Sequence, residues 1–305
     1  MTAAMNAVRQ HPVQAFLLAL AAVALLSVMD AVMKALVIAI GLYATSLWRA
    51  LTGVIAGTLL YLPTRKAWPT GAVIRLHVLR AMVTTVMALT FFYGLARTPM
   101  AQAIALTFIA PLIAQGLAAA TLGEEVGRRT IIASVAAFAG VVVIVGGSIL
   151  GGPAASSGTM WGTVAILVSA LTYAVNIVLM RRQSVAAGPL EIAFFQNLTV
   201  TALLLAALPV LGIPAWPTGY ELRVAAAAAM SFGGILLFAS AYARGPASLL
   251  AISEYSGLLW AAALGWLMFA EPVALATIIG AVLIVAGCIY ATGGRREPGE
   301  LEALA

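Results

Sequence analysis

The sequence predicts an all-α integral membrane protein of ten transmembrane helices, arranged as two inverted five-helix repeats with both termini in the cytoplasm. Three observations lead there. The first is composition: of 305 residues, 63% are hydrophobic and 9% charged, and the mean hydropathy is +1.08. A soluble domain carries about 25% charged residues, so there is too little polar side chain here to cover a globular surface in water. The second is a series of continuous apolar runs of about 20 residues, the length that crosses a hydrocarbon core of roughly 30 Å. The third is a self-match at a shift of 147 residues, the distance from Arg97 to Arg244.

The apolar runs place spans at 14–37, 43–62, 76–96, 100–122, 130–149, 160–180, 190–209, 224–242, 246–269 and 273–292. They are continuous rather than alternating, and a helix satisfies its own backbone hydrogen bonds in lipid, so helices are expected rather than barrel strands. The first run is too long for a cleavable signal peptide and no small-residue cleavage site ends it, so it is expected to remain as a span. Pro63 and Pro69 bracket a basic loop, Gly151-Gly152-Pro153 through Gly158 form a flexible linker, and Pro214 with Pro217 precede the eighth span. The chain accordingly divides into a first five-helix repeat at 14–149, a linker at 150–159, a second repeat at 160–292, and a disordered cytoplasmic tail at 293–305.

Positive charge sets the orientation. With the N-terminus inside, the cytoplasmic loops hold Arg9, Arg65, Lys66, Arg75, Arg128, Arg129, Arg181, Arg182, Arg244, Arg295 and Arg296, against only Arg97 and Arg223 outside. The net charge of +6 is therefore loop charge, and nucleic-acid binding is not implied.

At the 147-residue shift Leu20 falls on Leu167, Val28 on Val175, Leu51-Thr52 on Leu198-Thr199, and Phe91 on Phe238. Pro99 falls on Pro246, Leu117 on Leu264, Glu124 on Glu271 and Gly140 on Gly287, so charged and proline punctuation keeps register with the apolar letters. Five spans per half force the second half to enter the membrane from the opposite face. Two similar halves in opposite orientation can interchange conformations and open a central site to each side in turn, which is the architecture of a transporter.

Other chemistries find little support. One cysteine, Cys288, and two histidines, His11 and His77, leave no disulfide framework and no metal-ligand set, so no cofactor and no metal are expected. No G-x-x-x-x-G-K-[ST] motif is present for a nucleotide-driven pump. Neither histidine reads as deep in a span, so no nucleophile with its base is indicated for an intramembrane enzyme. No ring of charge or carbonyl filter marks a channel.

The two helix-joining segments Ala96-Arg97-Thr98-Pro99 and Ala243-Arg244-Gly245-Pro246 carry further information, as do the hairpins Leu122-Gly123-Glu124-Glu125 and Phe269-Ala270-Glu271-Pro272. So does Ile252-Ser253-Glu254-Tyr255-Ser256-Gly257 ahead of a Leu/Trp-rich helix. With the five-plus-five repeat, these make the chain from about Phe16 to Gly293 resemble the EamA-type members of the drug/metabolite transporter superfamily. The resemblance implies a multi-pass transporter of the inner membrane that moves amino acids, other metabolites or drugs, often outward. Aromatic amino acid exporters share the pattern, and so do members linked to S-adenosylmethionine uptake. Members often carry a Trp in the middle of the first and sixth helices, where this sequence reads Leu26-Ser27 and Tyr173-Ala174.

An ionised side chain at the bilayer centre costs at least ~2.5 kcal/mol unless it is paired or wetted, so the deep charges Asp30, Lys34, Arg49, Arg80, Glu191 and Glu254 are the candidates for function. Glu254 lies about 12 Å into the ninth span at 1.5 Å per residue, near the midplane where transporter sites lie. Holding a substrate ammonium, carrying a proton, and pairing with Arg80, near the start of the third span on the same side, are its three readings. Asp30 and Arg49 lie at similar depth on consecutive antiparallel helices, which predicts a salt bridge. Lys34, one turn beyond Asp30, is placed to snorkel to the outer interface. Asp30, Lys34, Arg49 and Arg80 are expected to serve structure or gating, with direct substrate binding as the alternative for the first three, and Glu191 and Arg80 to be interfacial.

Tyr173, Asn176, Gln115, Tyr242, Tyr255 and Trp260 offer hydrogen bonds and ring faces to a small amphipathic substrate, beside readings of each as packing or interfacial belt. Pro111, near the middle of the fourth span, frees the carbonyl of Thr107, and the same register brings Gly257 opposite it; the two read as a hinge. Gly53 with Gly57 and Ala136 with Gly140 read as small-residue packing within the monomer. The expectation is a carrier of the cytoplasmic membrane working by alternating access, exporting amino acids, with S-adenosylmethionine uptake or drug export as alternatives. Its partners would be a small-molecule substrate, the lipid bilayer and, as a candidate coupling ion, the proton.

Overall fold

In hydrocarbon each backbone amide must find its partner within its own segment, and the apolar runs do so as α-helices. The structure, a computed structural model, describes residues 12–65, 67–122, 128–150, 157–242 and 253–292, and among these no strand occurs. The helices are α1 (Pro12–Ile40), α2 (Leu42–Tyr61), α3 (Gly71–Leu95), α4 (Met100–Thr107), α5 (Ala110–Leu122) and α6 (Arg128–Leu150), followed by α7 (Ser157–Ala186), α8 (Pro189–Ala206), the single turn α9 (Leu208–Leu211), α10 (Glu221–Tyr242), α11 (Ser256–Phe269) and α12 (Leu275–Thr292). The tail at 293–305, most of the linker, and the hairpin acids Glu124 and Glu125 lie outside the described residues.

Among the described residues five helices are long and apolar enough to cross a membrane by themselves: Val13–Ile40, Gly71–Leu95, Gly158–Met180, Pro189–Ala206 and Glu221–Phe238. Met100–Ala114, Ile131–Gly147, Ser256–Phe269 and Leu275–Gly287 are shorter apolar helices. The sequence counts ten spans where length and apolarity in the structure single out five. In the fourth span the difference has a visible cause, since the apolar run is cut into α4 and α5. Large apolar side chains stand exposed on the outer faces of the helices, Leu59 at 70% and Leu259 at 73% among them. Water does not tolerate apolar patches on this scale, whereas lipid requires them.

The closest helix pairs are α6 with α12, α3 with α7, α1 with α10 and α2 with α8. Lipid tails are as apolar as leucine, so such pairs are held by close backbone approach rather than by hydrophobic segregation. Where α6 crosses α12, a Cβ on Gly140 would stand 2.6 Å from the Gly280 carbonyl, and one on Gly280 2.5 Å from the Gly140 carbonyl. Where α3 crosses α7, Gly94 meets Gly162 in the same way, at 2.6 Å. Gly53 and Gly57 serve the monomer, as they face Asn197 and Phe194 of α8.

Two interruptions shape the middle of the bundle. Between α4 and α5 the amides of Phe108 and Ile109 reach back only to Ala105 and Leu106, at 3.3 and 3.4 Å. Pro111 has no N–H for the carbonyl of Thr107, the last residue of α4. The second interruption falls at Tyr255, between the helical Ser253-Glu254 and α11. There the Ser256 hydroxyl donates to the Ser253 carbonyl at 2.6 Å. At its other end α11 closes with Ala270 in the left-handed region, φ 53, while the amide of Glu271 donates to the Gly265 carbonyl at 3.1 Å. This closure turns Glu271 back over the helix it follows.

Candidate functional site

Three groups of polar side chains occupy the interior, one toward each end of the bundle and one between. At the end formed by the α3–α4 and α11–α12 turns, Lys34 of α1 is 2% exposed. Its ammonium donates to the Thr98 carbonyl at 2.7 Å, pairs with the Glu271 carboxylate, and lies 5.0 Å from the centre of the Phe269 ring. The other Glu271 oxygen accepts the amide of Met100 at 2.8 Å, the first amide of α4 and one that no helix carbonyl can satisfy. The expected snorkelling of Lys34 is thus corrected. A carboxylate and a carbonyl wait within the bundle, so the ammonium turns inward and is buried with its partners. In the sequence Glu271 stands out as a hairpin residue and as the repeat mate of Glu124, and neither pattern gives it a partner on α1.

About 30 Å away along α3, at 1.5 Å per residue, a second group joins α2, α3, α7 and α8. Arg80 is buried; its Nε donates to Asn176 Oδ1 at 2.9 Å and its Nη1 to Gln183 Oε1 at 2.7 Å. Gln183 Nε2 meets His77 Nδ1 at 2.5 Å, and His77 Nε2 meets Glu191 Oε1 at 3.1 Å. The Tyr61 hydroxyl donates to the other Glu191 oxygen at 3.3 Å. Arginine can only donate, so the Gln183 oxygen faces Arg80, its NH₂ faces His77, and His77 carries its proton on Nε2 toward Glu191. Three sequence readings change here. Arg80 pairs with amides rather than with Glu254. Glu191 is tied to α3 rather than standing free at the interface. His77, at 1% exposure, lies inside the bundle, because α3 presses this face onto α7 and α8.

Between these groups lie Asp30 and Arg49, which interact electrostatically. The expected salt bridge between them is absent: among the described residues the ion pairs within 4.0 Å are Lys34–Glu271 and His77–Glu191. Arg49 is held over the Phe92 ring, 5.9 Å from its centre, and its Nε finds no hydrogen-bond partner among the described residues. Tyr173 of α7 interacts electrostatically with Glu254 and is 37% exposed. Tyr255 meets Phe108 edge to face, with ring centres 5.5 Å apart and planes at 86°. Both helix interruptions therefore touch at their own aromatic residues, and those residues are equivalent under the 147-residue shift. Gly257 is buried one turn into α11, while Trp260 is exposed beside Leu259. The side chains of Gln115 and Tyr242 lie outside the described residues.

The structure buries Lys34, Arg80 and Asn176 and half-buries Asp30, Arg49, Glu254 and Tyr255, while Tyr173 and Trp260 stand exposed. It adds Glu271, Gln183 and His77 to the residues the sequence singled out. Comparison with known proteins agrees with this architecture. Over 214 residues the chain is 28% identical to the pseudopaline exporter CntI of Pseudomonas aeruginosa, in strains UCBPP-PA14 and PAO1, covering 69% of this chain and 72% of that protein. A protein of solved crystal structure shares the fold, with a TM-score of 0.60 at 22% identity over 91% of this chain and 95% of its own. The EamA-like transporter family matches twice, at residues 13–146 and 160–293, and the two matches start 147 residues apart, the shift at which the sequence repeats. This multi-pass membrane protein, with its paired repeats and charged interior, belongs to the EamA-like transporter family.

Proposed function

We propose that the protein is a ten-helix secondary transporter or facilitator of the cytoplasmic membrane that moves small metabolites outward by alternating access, with amino acids as the first candidates. The observation that carries the reading is the contact of Phe108 with Tyr255. These residues mark the interruptions of two helices and exchange under the repeat. A pair of equivalent residues that touch each other stands on the axis relating the halves 14–149 and 160–292. Interrupted helices crossing at such an axis are where carriers bind substrate. The relative named as an exporter supports the outward direction.

In the orientation given by the loop charges, the Lys34–Glu271 pair closes the outer face and the Arg80–His77–Glu191 chain braces the cytoplasmic side. Glu254, placed beside Tyr173 and one residue from the α11 interruption, is the proposed proton carrier or ammonium ligand. Tyr173, Asn176, Gln115, Tyr242, Tyr255 and Trp260 remain the proposed substrate contacts, with Pro111 and Gly257 as the hinge.

The test is flux of labelled amino acids into proteoliposomes, with and without a pH gradient, for the native chain and Glu254→Gln. Acceleration by the gradient in the native protein, and gradient-independent exchange alone in the variant, is the expected result. Flux indifferent to the gradient makes the protein a facilitator, and an unaffected variant removes Glu254 from the site. No flux of any metabolite overturns the reading.

A further inference from the structure

Asp30 and Arg49 present an unusual arrangement for opposite charges in a membrane interior. Each lies within its helix well away from the membrane ends, about 16 and 12 Å respectively from the Gly41 turn that joins α1 and α2, at 1.5 Å per residue. Two such charges would ordinarily close on each other, because an unpaired ion in a low-dielectric interior is costly. Here they remain farther apart than ion-pair contact. Arg49 makes no hydrogen bond to a described residue; its guanidinium is steadied by the Phe92 ring instead. Thr45, one helical turn from Arg49 on α2, likewise holds a buried hydroxyl with no partner among the described residues. Both charged side chains also keep accessible surface, although their chain neighbours Met29, Ala31 and Ala50 are closed off. Ionised side chains in mid-span turn to the bundle interior or to water rather than to lipid, so the accessible surface of this pair leaves room for a polar ligand.

From this geometry we infer that Asp30 and Arg49 form a split dipolar site for the head group of an amphoteric substrate, with its ammonium on Asp30 and its carboxylate on Arg49. An α-amino acid or an amino-acid conjugate has this chemistry. Its dipole, inserted in opposition, satisfies both charges at once and uses the free donors of the guanidinium. The arrangement discriminates against ligands with one charge, since an amine alone leaves Arg49 uncompensated and an acid alone leaves Asp30 so. Phe92 orients the guanidinium and is a positioning residue. This inference rests on the reading of the protein as a carrier of small metabolites and assigns the head-group half of its central site.

The test is a thermal-shift titration of the purified full chain in detergent. The common L-amino acids are the probes, each beside its decarboxylated amine and its deaminated acid, on the native protein and on Asp30→Asn, Arg49→Gln and the conservative Arg49→Lys. The expected result is that at least one amino acid binds about ten-fold or more tighter than either of its fragments, the difference of one charged hydrogen bond. Asp30→Asn should erase the preference over the acid, Arg49→Gln the preference over the amine, and Arg49→Lys should restore part of the latter. Binding of no amino acid overturns the inference, and so do variants that leave the preferences intact. So does an Asp30→Asn/Arg49→Gln double variant that merely regains the melting temperature lost by the singles while the native protein shows no preference. Flux separates the two levels: transport of a singly charged or neutral metabolite unaffected by these variants sinks the dipolar site and leaves the carrier, whereas absence of all flux sinks both.

Discussion

Arg80 shows why a single side chain of the correct charge is not interchangeable with another. Its Nε and Nη1 reach two amide oxygens on one face of α7, Asn176 Oδ1 and Gln183 Oε1, and the planar fork holds both at once. A lysine nitrogen is a point donor on a flexible stem and cannot span the same two acceptors. Arg80→Lys should therefore leave one buried amide oxygen without a donor and lower stability by about 1–3 kcal/mol. Thermal unfolding in detergent checks this, and a melting temperature equal to that of the native protein would show that Arg80 acts only through its charge. The effect should spread, because Gln183 is oriented by Arg80 and in turn orients His77 toward Glu191. The deep charges were legible in the sequence because each is expensive in lipid. Their partners were not: Lys34 meets Glu271 across 237 positions and Arg80 meets Asn176 across 96. Neither spacing has a periodicity, and only the packing of α1, α3, α7 and the α11–α12 turn supplies the match.

At the scale of the element, the glycines separate close backbone crossing from mere helix composition. Gly140 and Gly280 lie carbonyl to Cα, and a methyl group on either would meet the other's backbone oxygen inside 3 Å. A backbone oxygen cannot rotate away as a side chain can, so Gly140→Ala must push α6 from α12. The expected cost is about 1–3 kcal/mol. Gly146, on the same helix, has nothing within 4 Å of its would-be Cβ. Gly146→Ala should be neutral or stabilising by up to about 1 kcal/mol from helix propensity. Melting curves of the two variants, side by side, decide the matter; equal curves would mean that the crossing is looser than the structure has it. Breaks in helices divide in the same way between the legible and the hidden. The α4–α5 break is announced by Pro111, which removes an amide from the ladder. No proline marks the break at Tyr255, and its position is recoverable from the sequence only because Phe108 lies 147 residues before it.

For the whole molecule, the clasp at Lys34 has consequences that a bare ion pair would not. Lys34 donates to a backbone carbonyl, that of Thr98, and Glu271 accepts a backbone amide, that of Met100. Both backbone groups belong to the turn between α3 and α4, so the clasp ties α1, the α3–α4 turn and the α11–α12 turn together and has a fixed polarity. In the proposed alternating cycle this contact opens once per turnover. Glu271→Gln weakens the pair while keeping an oxygen for the Met100 amide, and should shift the population toward the state open at this end. With Cys288 replaced by Ser and a cysteine placed at Ala103, a fully buried position one turn into α4, labelling by a membrane-impermeant maleimide reads that population. Labelling should be faster in Glu271→Gln than in the parent. The reversed pair, Lys34→Glu with Glu271→Lys, conserves the charge product but sets a carboxylate against the Thr98 carbonyl and an ammonium against the Met100 amide. It should remain as open as the single variant, and its flux should stay below native. Recovery of slow labelling and full flux by the reversed pair would reduce the clasp to a simple attraction between two charges and remove the α3–α4 turn from the gating step.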